Sequence, residues 1–334
     1  MPLLEREITW GDASEETVSI GDDFFFTLAG VKEKLGGLDF NLVNELCSDP
    51  GHVWNFWYAE NMTLWEKMLS YMQSRGVRLI RLSFPYTNLD TIAEELAAYE
   101  ALLDLTLEYK MLVIAHITCK FWAGWNCSDT PNFLVPDGKN LNGDGVDTFD
   151  KWMNRLLPII ATYNNIVAVN CDNELDLHAG AQNYTAADVT TYLAYFTGLV
   201  KSLTPHLTTH NLADHTGHAD IQAAVLPLID IPSFDTYETP ANIITEVTAL
   251  LASLGVTSNW WCSEVGVAWD QNLVTPQHYD AAFKAGATTA LGCASLSYAD
   301  DTWSYFDTSG NPKSNLIRIM SYLQSLQKIG NLIT

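Results

Sequence analysis

Apolar residues in this chain gather into short, β-rich runs separated by amphipathic stretches of helical period. Eight runs read as strands: Phe24–Val31, Val77–Phe84, Met111–Ile117, Ile166–Cys171, Thr208–Ala213, Ile229–Asp235, Ser258–Ser263 and Ala290–Ser297. Most are near-continuous rather than alternating, which marks strands covered on both faces. The intervening stretches Met62–Ser74, Asp90–Tyr109, Phe149–Tyr163, Ala186–Ser202, Ala219–Leu228, Asn242–Leu254, Pro276–Ala285 and Ser314–Gln327 read as helices. Asn61, Thr185 and Thr275 stand at N-cap positions, and Gly76, Gly255 and Gly286 stand where helices end. Strand then helix, eight times over, predicts an α/β chain folded as a single (β/α)8 TIM barrel over residues 1–334, with enlarged loops at its carboxyl-terminal face.

Composition agrees, since no Pro-, Ser- or Gly-rich linker divides the chain and a hydrophobic fraction of 48% can fill a barrel core. Lys and Arg total 17 against 40 Asp and Glu, a net charge of −23 that repels phosphate backbones and anionic membranes. Nucleic acid is therefore not an expected partner. Charged residues make up only 17% of the chain, and Thr, Asn, Ser, Trp and Tyr supply the remaining polarity, which suits a neutral polyhydroxylated ligand. No basic, apolar start precedes Thr9 and no run of eighteen apolar residues occurs, so neither a leader peptide nor membrane insertion is expected. A secreted location fits if the chain is a trimmed mature form, and a cytoplasmic one otherwise. Oligomeric state is left open. Cys171, Cys262 and Cys293 fall in expected strands as small buried hydrophobes, while Cys119 and Cys127 are close enough along a loop for a disulfide.

Chemistry in such barrels lies at the carboxyl ends of the strands. The polar residues there are Arg81, His116, Asn173 with Glu174, Asp235 with Tyr237, and Glu264, with Trp303 following the eighth run. Two glutamates closing apolar strands are costly to bury without a purpose, and a carboxyl pair across one barrel mouth is what glycosidic bond cleavage requires. Arg81, inside the apolar run VRLIRLSF, needs an acidic partner, and Glu264 is the natural one. Asp172 and Asp176 flank the Asn173-Glu174 pair as loop caps or surface acids. Trp122, Trp125, Trp269 and Trp303 are candidate platforms for sugar rings, whose apolar faces pack flat on aromatic rings.

Taken in this order, Arg81, His116, Asn173-Glu174, Tyr237, Glu264 and Trp303 resemble the clan A retaining glycoside hydrolases. The nearest likeness is to family five, which holds endoglucanases and β-mannanases. The resemblance runs from about Phe24 to about Gln327 and includes the passage FDTSGNPKSNLIRIM from Phe306. It implies Glu174 as acid/base, Glu264 as nucleophile and Asn173 on the 2-hydroxyl of the sugar whose bond breaks. Arg81 and Tyr237 are then expected to face Glu264, whereas Glu174 has fewer cationic neighbours and supplies the proton. One departure concerns the sixth strand, where the family carries His-x-Tyr and this chain has Asp235-Thr236-Tyr237, leaving sugar and linkage open.

The implied reaction uses carboxylates alone, so no metal or organic cofactor is expected. His206, His210, His215 and His218 with Asp214 and Asp220 match no zinc signature, and hydrogen bonding at the rim is their expected role. Asn140 to Gly145 begins like a calcium loop, but Lys151 stands where the bidentate Glu belongs, so a plain acidic turn is expected. Three readings result. The first is an endo-acting retaining hydrolase of β-glucan or β-mannan. The second is an exo-acting β-mannosidase or β-galactosidase. The third is a non-catalytic carbohydrate-binding barrel.

Overall fold

A computed structural model of the chain describes residues 2–40, 62–85, 92–118, 145–177, 184–213, 218–257, 259–267, 270–294, 305–307 and 309–333. Eight parallel strands close a barrel: β5 (Leu35–Phe40), β6 (Leu79–Pro85), β7 (Leu112–Thr118), β8 (Ile166–Asn173), β9 (Leu207–Leu212), β10 (Ile231–Thr236), β11 (Trp260–Val265) and β12 (Ala287–Ala294). β12 pairs with β5 in parallel register, which completes the ring. Helices follow the strands as expected of a (β/α)8 barrel, with Met62–Ser74 after β5, Ile92–Glu108 after β6, Gly145–Thr162 after β7 and Ala186–Leu203 after β8. Thr185 caps the last of these through a reciprocal box with Asp188. Thr275 forms the equivalent box with His278 at the start of Pro276–Lys284. Gly76, Gly255 and Gly286 all adopt positive φ at helix ends, the conformation that favours glycine there.

The first strand is not where its hydrophobicity suggests. Phe24–Val31 belongs instead to an antiparallel four-stranded sheet, β1 (Leu4–Thr9), β2 (Glu15–Ile20), β3 (Phe26–Leu28) and β4 (Val31–Glu33). Ala29 and Gly30, at φ 48° and 84°, make the two-residue turn that pairs Leu28 with Val31. The true first barrel strand, LGGLDF, is diluted by two glycines that packing demands. A Cβ on Gly37 would lie 1.9 Å from the Leu79 carbonyl oxygen, and one on Gly36 would lie 2.2 Å from Leu323 of the final helix, Ser314–Ile333. The other seven strands match the expected runs to within a few residues.

The N-terminal sheet seals the amino end of the barrel. Ile8, Val18, Ile20 and Phe26 share one buried cluster with Leu79, Leu112, Ile231, Leu291 and Trp261 from the barrel strands. Phe26 stacks on Trp261 with ring centroids 5.4 Å apart. Polar contacts pin the sheet at its rim: Arg6 donates to the Ile166 and Pro205 carbonyls, and Arg78 forms a bidentate pair with Glu16. A second, larger cluster fills the layer between barrel and helices and includes Trp260. Both tryptophans of the Trp260-Trp261 pair are therefore core residues. No helix among the described residues is long and apolar enough to cross a membrane.

Candidate active site

With the amino end closed by the sheet, the polar residues of the barrel collect near the opposite mouth. Arg81 is fully buried in β6, yet it is saturated on one side by an acid that the misplaced first strand concealed. Its Nε and Nη2 donate to the two carboxylate oxygens of Asp39 at 2.7 and 2.9 Å. The same Nη2 reaches Glu264 Oε1, and Tyr237 donates its hydroxyl to Glu264 Oε2. Each oxygen of Glu264 thus receives a donor from a different strand region, which fixes the carboxyl plane. Burial pushes the Asp39 carboxyl up to about 7 against the pull of Arg81, and the charge of Glu264 pushes the same way as burial. Burial, reinforced by Cys293 and Glu264, likewise raises the Tyr237 phenol far above its ordinary value and keeps it a donor.

Glu174 leaves β8 through a distorted backbone. Asp172 and Glu174 both sit at positive φ, 64° and 40°, a conformation that costs a non-glycine residue about 1–3 kcal/mol. Neighbours hold it in place: Tyr192 donates to Asp172 Oδ2 at 2.7 Å, Asn173 N–H to Asp172 Oδ1 at 3.0 Å, and Glu174 N–H to the Asn211 carbonyl at 3.1 Å. The pairing register slips between Asn170 and Asn173, between Phe234 and Asp235, and between Cys262 and Val265. These irregularities fall at the site ends of β8, β10 and β11, where a bulge re-aims side chains. Asp172 and Asp176 are buried rather than surface acids: Asp172 lies within β8, and Asp176 accepts from the Ala213 N–H and from Gln222 Nε2.

Around the two glutamates runs a chain of amides. Asn170 Nδ2 donates to Asn211 Oδ1 at 2.8 Å, and Asn211 Nδ2 donates to Asn173 Oδ1 at 2.7 Å and to Asp235 Oδ2. Asn173 is thereby oriented with its own Nδ2 toward Glu174 Oε2, 3.4 Å away. His116 is buried with Ser83 Oγ 3.3 Å from its Nδ1, and burial, with Arg81 nearby, lowers its pKa far below the usual histidine value. It is a neutral ring whose Nε2 has no partner among the described residues.

The structure thus brings Arg81, Tyr237 and Glu264 into one bonded group and Asp235, Asn173 and Glu174 into another through Asn211, with Asp235 and Glu264 opposite each other in register and His116 also buried in the barrel. Asp39, Asn170 and Asn211 join the site as residues that do not stand out at the strand ends of the sequence. An acid closing the run LGGLDF was the visible signal for Asp39. The histidine expectation is corrected: His206 and His210 are buried, not on the rim. His206 is held by Arg6 and the Ile160 carbonyl, and His210 by the Cys171 carbonyl and the Leu175 N–H. A helix from Gly145 runs through Lys151, so the second half of the supposed calcium loop is helical. Cys171, Cys262 and Cys293 are all buried. Trp122, Trp125, Trp269, Trp303, Cys119, Cys127 and His215 lie outside the described residues.

Asp39, Glu264 and Cys293 are the one set of described residues whose ligand atoms lie close enough together to hold a metal. Arg81 already bonds both carboxylates, so a second cation there meets a guanidinium and the residues do not fit a metal.

No protein-family model matches the sequence, and no match is found among curated proteins. The fold does match solved structures. An exo-β-1,4-mannosidase from Opitutaceae bacterium strain TAV5 aligns over 93% of this chain with a TM-score of 0.66 and 15% identity. The chain spans 63% of that protein's length. A β-mannanase from the blue mussel Mytilus edulis aligns over 90% of this chain and 94% of its own, with a TM-score of 0.60 and 14% identity. A family 1 β-glucosidase from Thermotoga maritima aligns over 88% and 97%, with a TM-score of 0.56 and 11% identity.

Proposed function

We propose that this chain is a retaining β-glycosidase. The observation that carries the reading is the grip on Glu264, whose two oxygens accept from Arg81 and Tyr237 at the barrel mouth that also receives Glu174. A carboxylate immobilised in this way cannot turn away from an incoming anomeric carbon, and that pre-organisation is what covalent displacement needs. In the first step Glu264 attacks the anomeric carbon while Glu174 passes its proton to the leaving glycosidic oxygen. In the second, Glu174 takes a proton from water, the hydroxyl bonds to the anomeric carbon, and Glu264 leaves. Asn173 holds the 2-hydroxyl, a contact that strengthens in the transition state. His116 and Asp235 complete the lining, and Trp303, Trp122, Trp125 and Trp269 are the proposed aromatic platforms.

The substrate we propose is a β-linked polysaccharide of mannan or glucan type, cut within the chain; solved structures that share the fold include β-mannanases. Exo-action on β-mannosides is the second reading, favoured by the fold likeness to the exo-mannosidase and by Asp235 in place of histidine. Because the N-terminal sheet and the barrel share a buried cluster, residues 1–334 are read as one catalytic domain. The deciding experiment is hydrolysis of a panel of β-mannans, β-glucans and aryl β-glycosides, with the first-formed anomer followed by proton NMR. Release of the β-anomer supports the proposal, and release of the α-anomer or no hydrolysis of any member overturns it.

A further inference from the structure

Asp235 is a third acid in a site whose chemistry uses two, and its surroundings are unusual for a carboxylate. It is buried, and across the β10–β11 pair it stands opposite Glu264 at a register slip. One oxygen, Oδ2, accepts from Asn211, while the other, Oδ1, is buried with no hydrogen-bond partner among the described residues. The charged and titratable groups facing it are Glu264 from β11, Glu174 from just past the end of β8, Arg81 from β6 and Tyr237 just beyond the end of its own strand. Arg81 is engaged by Asp39 and Glu264 and has no hydrogen bond to Asp235. An ionised Asp235 would be a buried charge with a single neutral donor and two acids beside it, an arrangement that proteins avoid by keeping the group neutral.

We propose that Asp235 is a positioning residue that works as a proton-bearing, neutral carboxyl. Through Asn211 it fixes the amide of Asn173, and with it the Asn173-Glu174 pair, without adding a third negative charge to the site. The bonding pattern runs in one direction along the amides. Both Asn211 Nδ2 hydrogens are committed, to Asn173 Oδ1 and Asp235 Oδ2, and its Oδ1 is occupied by Asn170. Asn173 must then accept through Oδ1 and turn Nδ2 toward Glu174 and the sugar. Burial, with Glu264 and Glu174 next, pushes the Asp235 carboxyl well above the usual carboxylate range, the direction that favours the proton-bearing form, against the pull of Arg81 and the Asn211 bond. Aspartate here thus does with a carboxylic acid what an uncharged side chain would do, at the position where this chain departs from His-x-Tyr.

This inference rests on the glycosidase reading, and its test keeps the two apart. Asp235→Asn retains an acceptor for Asn211 and replaces the protonated oxygen by an amide. It is expected to keep a kcat roughly tenfold or more above that of Asp235→Leu, with both limbs of the pH–kcat/KM profile unmoved. Asp235→Leu removes the acceptor and is expected to lower kcat about a hundredfold through misorientation, with KM changed far less. The wild-type minus Asp235→Asn infrared difference spectrum, recorded without substrate at neutral pH, is expected to show a protonated-carboxyl C=O band. Loss of ionised-carboxylate bands instead overturns the proposal. So does an Asp235→Asn enzyme that loses turnover with both pH limbs displaced to acid. If the wild type hydrolyses no glycoside, the functional reading fails, while the infrared spectrum still decides the state of Asp235.

Discussion

Asp39 and Arg81 stand opposite each other on adjacent strands, both without solvent exposure, and bond in bidentate fashion at 2.7 and 2.9 Å. The pairing consumes Nε and one hydrogen of Nη2, which leaves the same nitrogen to reach Glu264. Asp39 thus sets the angle at which Arg81 presents its guanidinium to the proposed nucleophile. Removing it in Asp39→Ala leaves a buried cation with only one acid, and a loss of about 3–5 kcal/mol in unfolding free energy is expected. Urea denaturation measures it. A loss below about 1 kcal/mol, the range of an exposed pair, would mean that the ion pair is not buried in solution.

The two glutamates are expected to fail in different ways. Glu264→Ala should abolish turnover and be rescued by azide or formate, which fills the space of the missing nucleophile and yields the α-glycosyl product. Glu174→Ala should retain activity on aryl glycosides with good leaving groups, which need little protonation, and lose it on polysaccharide. Rescue of the position-174 variant by azide, with no rescue at position 264, would exchange the roles.

A carboxyl separation of about 5–5.5 Å between Glu174 and Glu264 is expected for retention. A crystal structure with a bound inhibitor measures it directly. A gap near 9 Å would leave room for water and mark an inverting enzyme, in conflict with β-anomer release.

Acid should unfold the protein in part through His210. Burial lowers its pKa from 6.5 to about 4, so the unfolded chain takes up a proton near pH 6.5 that the folded chain refuses until near pH 4. Its contribution is complete above pH 6.5 and is lost as the pH falls through that window, by at most about 3 kcal/mol. Unfolding free energies from pH 7 to pH 4 should fall more steeply for the wild type than for His210→Asn. Equal slopes would show that the histidine is not kept neutral.

Sealing of the amino end is testable by a cavity. Phe26→Ala removes the ring stacked on Trp261 and is expected to cost about 3–5 kcal/mol while leaving KM unchanged, because the sheet lies at the end of the barrel away from the site. A variant that keeps full stability would mean that the sheet does not cover the barrel.

How much of this was legible beforehand follows from the physics of each signal. Burial on both faces imposes continuous apolar runs, so seven of the barrel strands were visible in the sequence, and capping chemistry made Thr185 and Thr275 visible as well. Glu174, Glu264 and Arg81 were visible because a charge inside an apolar strand is costly and so stands out against its neighbours. The first barrel strand escaped because close packing against the Leu79 carbonyl and Leu323 demands Gly36 and Gly37, which erase the hydrophobic signal. Asp39 was lost with it. Asn170 and Asn211 escaped because an amide has no tell-tale cost in one dimension, and its role exists only once three strands bring Asn170, Asn173, Asn211 and Asp235 within hydrogen-bond reach. His206 and His210 erred the other way, since spacing cannot reveal that carbonyls and the N-terminal Arg6 already occupy their ring nitrogens. The sequence by itself determined which segments become strands and helices and which acids are out of place among apolar neighbours, for both are local properties of burial. Only the tertiary structure decided which donor meets which acceptor, because that depends on strand register, on the bulges at the mouth and on the closure of β12 against β5.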